Sequence, residues 1–242
     1  MKLYGLIGYP LSHSFSKKFF DAKFIKEKIL DCEFVNFSIE NISLLPTILS
    51  KKNLRGLAVT IPYKRDILSY LNQSSSDVQS MKACNCVKVA DGKLIGYNTD
   101  VIGFEKSFTL HLQPHHKKAL ILGTGGASSA VAFVLQKLNI SYRFVSRTKT
   151  EDRLLYAELN EQVMNEYTII INASPLGTYP NIDEFPNLPY QYISSQHYLF
   201  DLVYNPTETK FLYLGKQQNA ITQNGYEMLV FQAEENWKIW NS

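Results

Sequence analysis

Cysteine is scarce in this chain: Cys32, Cys84 and Cys86 are the 3 in 242 residues. An odd count without a framework excludes a disulfide-stapled fold and fits reduced thiols in a cytoplasm. Long apolar runs are missing too, which excludes a membrane-spanning helix. The opening MKLYGLIGYP is interrupted by glycines and a proline, so it reads as a first strand and not as a secretory leader. Neither sign of charge dominates: 25 Lys and Arg stand against 22 Asp and Glu, a net +3. With no basic stripe, neither nucleic acid nor a membrane surface is expected as a partner. A small positive excess suits anionic small molecules. Charged residues are 19% and hydrophobic ones 45%, which excludes disorder and allows sizeable cores. Cys84 and Cys86 form C-x-C, one residue short of the usual zinc spacing and without a second ligand pair, so no metal is expected. Strand alternation would place both thiols on one face as packing groups.

What the chain does have is short apolar runs alternating with helical patterns, the α/β signature. Strands are expected over 3–7, 32–37, 57–60, 86–89, 94–96, 119–122, 142–145, 168–171 and 197–202. Helices are expected over 16–27, 44–49, 63–70, 101–110, 127–138, 150–161, 207–218 and 228–240. The polar stretch HLQPHHKK at 111–118 ends at a fresh apolar strand and reads as the entry to a second domain. The domains are then 1–100 with 226–242, and 101–225. The final helix, rich in Met228, Leu229, Val230, Phe231, Trp237, Ile239 and Trp240, is expected to return to the first domain.

The second domain opens with ALILGTGGASSAVAFVLQKL. A buried strand leads into Gly123, Thr124, Gly125, Gly126 and Ala127, a turn at which backbone can approach a pyrophosphate, and the following helix start favours that anion. Any tight βα turn needs glycine, so the turn alone is a weak sign. The next strand ends in Ser146, Arg147 and Thr148. No carboxylate stands there to receive a ribose hydroxyl, and a guanidinium is ready for a phosphate, which favours NADP(H) over NAD. A solvated basic loop is the plainer reading.

Four segments of the first domain are polar beyond structural need. GYPLSHSFS sets Ser14 and Ser16, with His13, between the first strand and helix. They form a carboxylate clamp or a simple helix cap. GLAVTIPYKRD ends a strand at Thr60 and presents Lys64, a proton donor or a solvated lysine. ACNCVKV offers Asn85. GYNTDVIGF offers Asn98, Thr99 and Asp100, the last also able to cap a helix.

In this order the segments resemble the shikimate dehydrogenase family, together with LGTGGASSA, SRT, INASPLGT, DLVYNPTETKFL and NGYEMLVFQA. The likeness runs from Gly5 to Trp240. It implies an N-terminal α/β substrate domain, a Rossmann-like NADP-binding domain and a cytoplasmic enzyme, monomeric or homodimeric, that interconverts 3-dehydroshikimate and shikimate. By that resemblance Ser14 and Ser16 hold the substrate carboxylate. Thr60, Lys64, Asn85, Asp100 and Gln232 hold ring hydroxyls and the reacting oxygen, and Tyr204 flanks the ring or the carboxylate. Residues 123–127 carry the pyrophosphate, 146–148 the 2′-phosphate, and Leu202, Gly225 and Met228 the nicotinamide end. Lys64 and Asp100 are the catalytic pair. A nearby carboxylate favours the ammonium form of a lysine, so Lys64 is expected to donate the proton and Asp100 to orient it. The chain departs from the family pattern at Lys17, Ala58, Cys84, Cys86, Tyr226 and Glu227, and it is somewhat short. The competing readings are a quinate/shikimate dehydrogenase using NAD, and a nucleotide-binding regulator without catalysis.

Overall fold

The computed structural model describes residues 1–11 and 14–242, so His13 lies outside the described residues. Two compact units divide the chain. One is Met1–Ile102 with Val230–Ser242, the other Gly103–Leu229.

In the first unit the chain runs β1 (Lys2–Gly8), α1 (Phe15–Lys26), β2 (Cys32–Ser38), α2 (Leu45–Leu49), β3 (Leu54–Val59), β4 (Gln73–Ser74), α3 (Ser76–Met81), β5 (Cys86–Ala90) and β6 (Lys93–Tyr97). The sheet order is β2-β1-β3-β5-β6-β4. β1 lies parallel to both β2 and β3, while β5 runs antiparallel to β3 and β6. A central parallel strand is covered on both faces, which is why β1 is buried from Leu3 to Gly8, with only its first residue, Lys2, exposed. Alternation sends Leu3, Ile7, Leu57 and Val59 to one core, and Tyr4, Leu6 and Ala58 to the other.

The second core is aromatic. Phe20 stacks on Phe34 at 4.6 Å between ring centres, and Tyr4 on Trp240 at 5.1 Å. Trp240 belongs to the final helix α8 (Tyr226–Asn241), numbered here in chain order after the elements of the second unit. Its indole lies flat over Gly56, where an added Cβ would sit 2.3 Å away. Its Nε1 donates to Val87 O at 3.1 Å. The last turns of the chain therefore return to the first unit. Ala58, one of the departures from the family pattern, is 4% exposed within this aromatic core.

The expected pairing of the thiols on one face is wrong. β5 begins only at Cys86, so Cys84 precedes the alternation. Cys84 joins the Leu57 core and Cys86 the Trp240 core. Burial pushes the Cys84 thiol up to about 11, and Cys86 is raised too, so both stay protonated packing groups. The helix expected over 63–70 is also corrected. Its first residues form turns, and a 3-10 helix covers Asp66–Tyr70. Cys84 N–H takes the carbonyl of Lys64 at 2.8 Å, so Leu68 N–H bonds Arg65 instead and the winding tightens. Helix α3 was not expected from the sequence pattern.

The second unit carries the greater part of α4 (Thr99–Thr109), then β7 (Lys118–Leu122), α5 (Gly126–Lys137), β8 (Ser141–Ser146), β9 (Arg153–Leu155), α6 (Glu161–Glu166), β10 (Ile169–Asn172), β11 (Tyr198–Asp201), α7 (Lys210–Gln217) and β12 (Ile221–Gln223). Its sheet is parallel in every pairing, ordered β12-β11-β10-β7-β8-β9. Counted from β7, that is the 3-2-1-4-5-6 order of a doubly wound nucleotide fold, with its switch point between β7 and β10. Leu120, Leu122, Ile170 and Leu199 fill the core. Val131, Val134 and Leu135 are 0% exposed on the inner face of α5.

The helix expected over 150–161 is not there. Arg153–Leu155 instead pairs with Phe144, Val145 and Ser146 as the outer strand β9. A 3-10 turn follows at Tyr156–Glu158 and α6 starts at Glu161. The Thr150 hydroxyl bonds Asp152 and Arg153 N–H bonds Thr150 O, which closes a turn that feeds Leu154 and Leu159 into the core. Strand β12 was also missed, being only 3 residues long.

Candidate active site

The first unit gathers a group of polar side chains at the ends of its central strands. Lys64, in the turn after β3, donates from Nζ to Asp100 Oδ2 at 2.6 Å. Their side chains are 29% and 18% exposed, dry enough to strengthen the pair and open enough for a ligand to reach it. Asp100 sits in the first turn of α4, where the helix dipole also favours a carboxylate. Thr60 directly follows β3, with its N–H on Ile7 O at 2.9 Å and its methyl against Gly8.

Asn85 is 3% exposed. Its Oδ1 accepts Thr99 N–H at 2.6 Å, and its Nδ2 reaches Gln232 Oε1 at 3.4 Å. Its backbone carbonyl accepts Val59 N–H at 2.8 Å, one residue before Thr60. With both amide oxygens engaged, the N–H groups of Asn85 and Gln232 are what remains to bond a ligand. In the same unit the Lys64 ammonium is a further donor and Asp100 an acceptor. Ser14 is the N-cap of α1, its Oγ accepting Lys17 N–H at 3.2 Å, and Ser16 lies in that helix's first turn.

In the second unit the residues expected to meet the nucleotide follow the carboxyl ends of the strands. Gly123 follows β7 with φ +105°, and a Cβ there would press on the Ala173 backbone at 3.3 Å. Only glycine takes that conformation without strain. Gly125 and Gly126 are different: a Cβ on either would meet nothing within 4 Å. The ground before them is open, and no side chain caps the first N–H groups of α5. Open space facing bare helix N–H groups fits an anion such as a pyrophosphate. At the end of β8, Thr148 N–H donates to Ser146 Oγ at 3.2 Å and shapes the turn that holds Arg147 exposed. Arg147 makes no ion pair among the described residues, whereas neighbouring Lys149 is paired with Glu158.

Leu202 and Gly225 meet directly. A Cβ on Gly225 would lie 2.3 Å from Leu202 O, and Gly225 N–H bonds Val203 O at 3.1 Å. Met228 follows in the first turn of α8, 8% exposed. A cavity of about 580 Å³ lies beside them, lined by Tyr204, Thr207, Gln223, Tyr226 and Glu227 among others.

Beneath this loop is a group that pattern reading overlooked. Asp201 ends β11 with 0% exposure. Its carboxylate accepts Asn172 Nδ2 at 2.9 Å, Val203 N–H at 3.0 Å and Thr209 Oγ1–H at 2.6 Å. Burial raises it to about 7, and the three donors hold it from rising further. One carboxylate thus pins three pieces: the turn after β10, the loop after β11 and the cap of α7. The signal was present in the sequence, since a lone acid closing the apolar run YLFD must find donors if the strand is buried.

A family model described as the shikimate dehydrogenase substrate binding domain matches residues 6–87. A protein named shikimate dehydrogenase (NADP(+)) from Methanococcus maripaludis is 37% identical over 256 residues, 99% of this chain and 91% of its own length. The chain belongs to the shikimate dehydrogenase family. Among solved structures, a shikimate dehydrogenase in complex with NADP+ superposes with a TM-score of 0.85 at 35% identity, covering 99% of this chain and 90% of the other. The Thermus thermophilus enzyme in complex with NADP(H) and shikimate gives 0.86 at 27% identity, covering 99% and 93%. No helix among the described residues is long and apolar enough to cross a membrane.

Proposed function

We propose that this protein is an NADP(H)-linked oxidoreductase that reduces 3-dehydroshikimate to shikimate and runs the reverse reaction. The observation that carries this reading is the Lys64–Asp100 pair at 2.6 Å, with Asp100 next in the chain to Thr99, whose N–H holds the Asn85 amide. A ketone oxygen accepts hydrogen bonds and never donates, so the Lys64 ammonium suits it. NADPH, when bound, supplies the hydride.

The chain's own residues do the rest. Gly125, Gly126 and the first turn of α5 hold the pyrophosphate, and Arg147 meets the 2′-phosphate. Ser14, Ser16 and Thr60 fix the ring through its carboxylate and a hydroxyl with Tyr204 flanking it, while Leu202, Gly225 and Met228 border the nicotinamide end. As negative charge grows on the former ketone oxygen, Lys64 stabilises it and passes it a proton. Asp100 holds the ammonium by one oxygen and takes a ring hydroxyl with the other. Reduced thiols at Cys32, Cys84 and Cys86 suit a cytoplasmic enzyme.

Loss of NADPH absorbance with dehydroshikimate tests the reading directly, with quinate and NAD as comparison arms. Lys64→Ala should lower kcat by ~10²–10⁴-fold, the usual worth of a positioned proton donor, with a smaller change in KM. A kcat within a few-fold of wild type would remove Lys64 from its role.

A further inference from the structure

Thr99 opens α4 directly behind the amides that face the site. Its N–H donates to Asn85 Oδ1 at 2.6 Å, and its Oγ1 lies 3.1 Å from the same oxygen. On its other side Oγ1 is 2.6 Å from the side-chain oxygen of Asn236, on α8. Thr99 and Asn236 are both 0% exposed. A hydroxyl has one proton and cannot donate to two oxygens. The Asn236 Nδ2, meanwhile, is buried with no hydrogen-bond partner among the described residues, a costly state for an amide. Turning the Asn236 amide over eases both conflicts. Nδ2 then donates to Thr99 Oγ1, and the Thr99 proton goes to Asn85 Oδ1.

We propose that Asn236 is a positioning residue for dehydroshikimate: by donating to Thr99 it commits the Thr99 proton to Asn85, and so holds the Asn85 and Gln232 amides with their NH₂ groups toward the substrate. This rests on the substrate reading above. The chain of bonds runs one way, from Asn236 to Thr99 to Asn85 to Gln232. If Asn236 accepted instead, Asn85 Oδ1 would keep only the Thr99 backbone donor and its amide could turn an oxygen toward the ketone. Asn236 touches no substrate and acts only through Thr99.

The test is a set of steady-state assays on the full chain with Asn236→Leu, Thr99→Val, Thr99→Ser and the double Thr99→Val/Asn236→Leu. Asn236→Leu should raise KM for dehydroshikimate about threefold to tenfold, as expected for one hydrogen bond lost from a chain, with KM for NADPH within about twofold. Thr99→Val should raise the same KM by about tenfold, and Thr99→Ser, which keeps the hydroxyl, should restore it. The double variant should be no worse than Thr99→Val alone, because Asn236 has nothing to act through. Unchanged KM in Asn236→Leu, additive losses in the double variant, or equal defects in Thr99→Val and Thr99→Ser would each overturn the proposal. Wild-type protein without turnover would sink the functional reading separately. In that case the side-chain amide resonances of Asn85 in a ¹H–¹⁵N spectrum decide: a shift in Asn236→Leu supports the positioning, and none overturns it.

Discussion

Asp201 links the stability of the second unit to pH in a direction opposite to most paired carboxylates. Its folded value stands at about 7 against 3.8 for a free aspartate, because burial disfavours the charge. A raised folded value means that the native state binds the proton more tightly than the unfolded chain. The associated stability is fully present below the unfolded value and is lost as pH rises through the folded one. Full passage from below 3.8 to above 7 corresponds to about 4 kcal/mol at ~1.36 kcal/mol per unit. Between about pH 5 and about pH 8 the same two values give ~2.5 kcal/mol. Asp201 is 0% exposed, so solvent screening takes little from this figure. Asp201→Asn removes the titration while keeping the shape. Its amide oxygen can still accept from Asn172 and Val203, and the Thr209 hydroxyl can turn to accept from the new amide nitrogen. Thermal melts of wild type and Asp201→Asn over that range should therefore converge or cross. The variant should gain on wild type by ~2.5 kcal/mol, some 5–10 °C for a chain of this length, as pH rises. A gap in Tm that stays constant with pH would refute the reasoning. The difference curve is needed because a second group works against Asp201 in the wild type.

That group is His116, 2% exposed and pushed down to about 4 by burial. It gives stability above the free value of 6.5 that is lost as pH falls toward 4, so the advantage of wild type over His116→Leu should shrink by ~3 kcal/mol across that window in paired melts. Arg147→Ala should cost NADPH ~10–100-fold in kcat/KM and leave NADH within a few-fold, the expected worth of a charge-assisted bond to one phosphate. Gly225→Ala should raise KM for NADPH and lower Tm, since its Cβ would fall 2.3 Å from Leu202 O and force that loop back. An unchanged KM for NADPH would detach Gly225 from the nicotinamide border.

The elements most legible in the sequence were those where one local rule suffices. A strand, a glycine turn and an amphipathic helix at 119–138 say what they form because each part agrees with the next. The proposed catalytic pair was named from family likeness, and the fold brings Lys64 and Asp100 to 2.6 Å across 36 positions of chain, a relation no local pattern encodes. Residues 150–161 read as helix by composition, yet the open edge of β8 captured Arg153–Leu155 as a strand. Tertiary pairing overrode propensity there. Cys84 and Cys86 misled because alternation holds only inside a strand, and the strand starts at the second of them. Asn236 was within reach of sequence reasoning: it stands four residues after Gln232, on the same helical stripe. A buried asparagine on a face shared with tryptophans calls for a polar partner.

The bond from Cys84 N–H to Lys64 O has a further consequence. It staples the backbone of Lys64, the proposed proton donor, to the residue beside Asn85, so these two proposed substrate contacts are tied together through the main chain. The bond closes residues 65–83 into a ring, inside which Ile67 and Val78 enter the core and β4 pairs with β6. Substitutions on the exposed positions of that ring leave the spacing between the ammonium and the amide unchanged, whereas Ile67 and Val78 are held by the core.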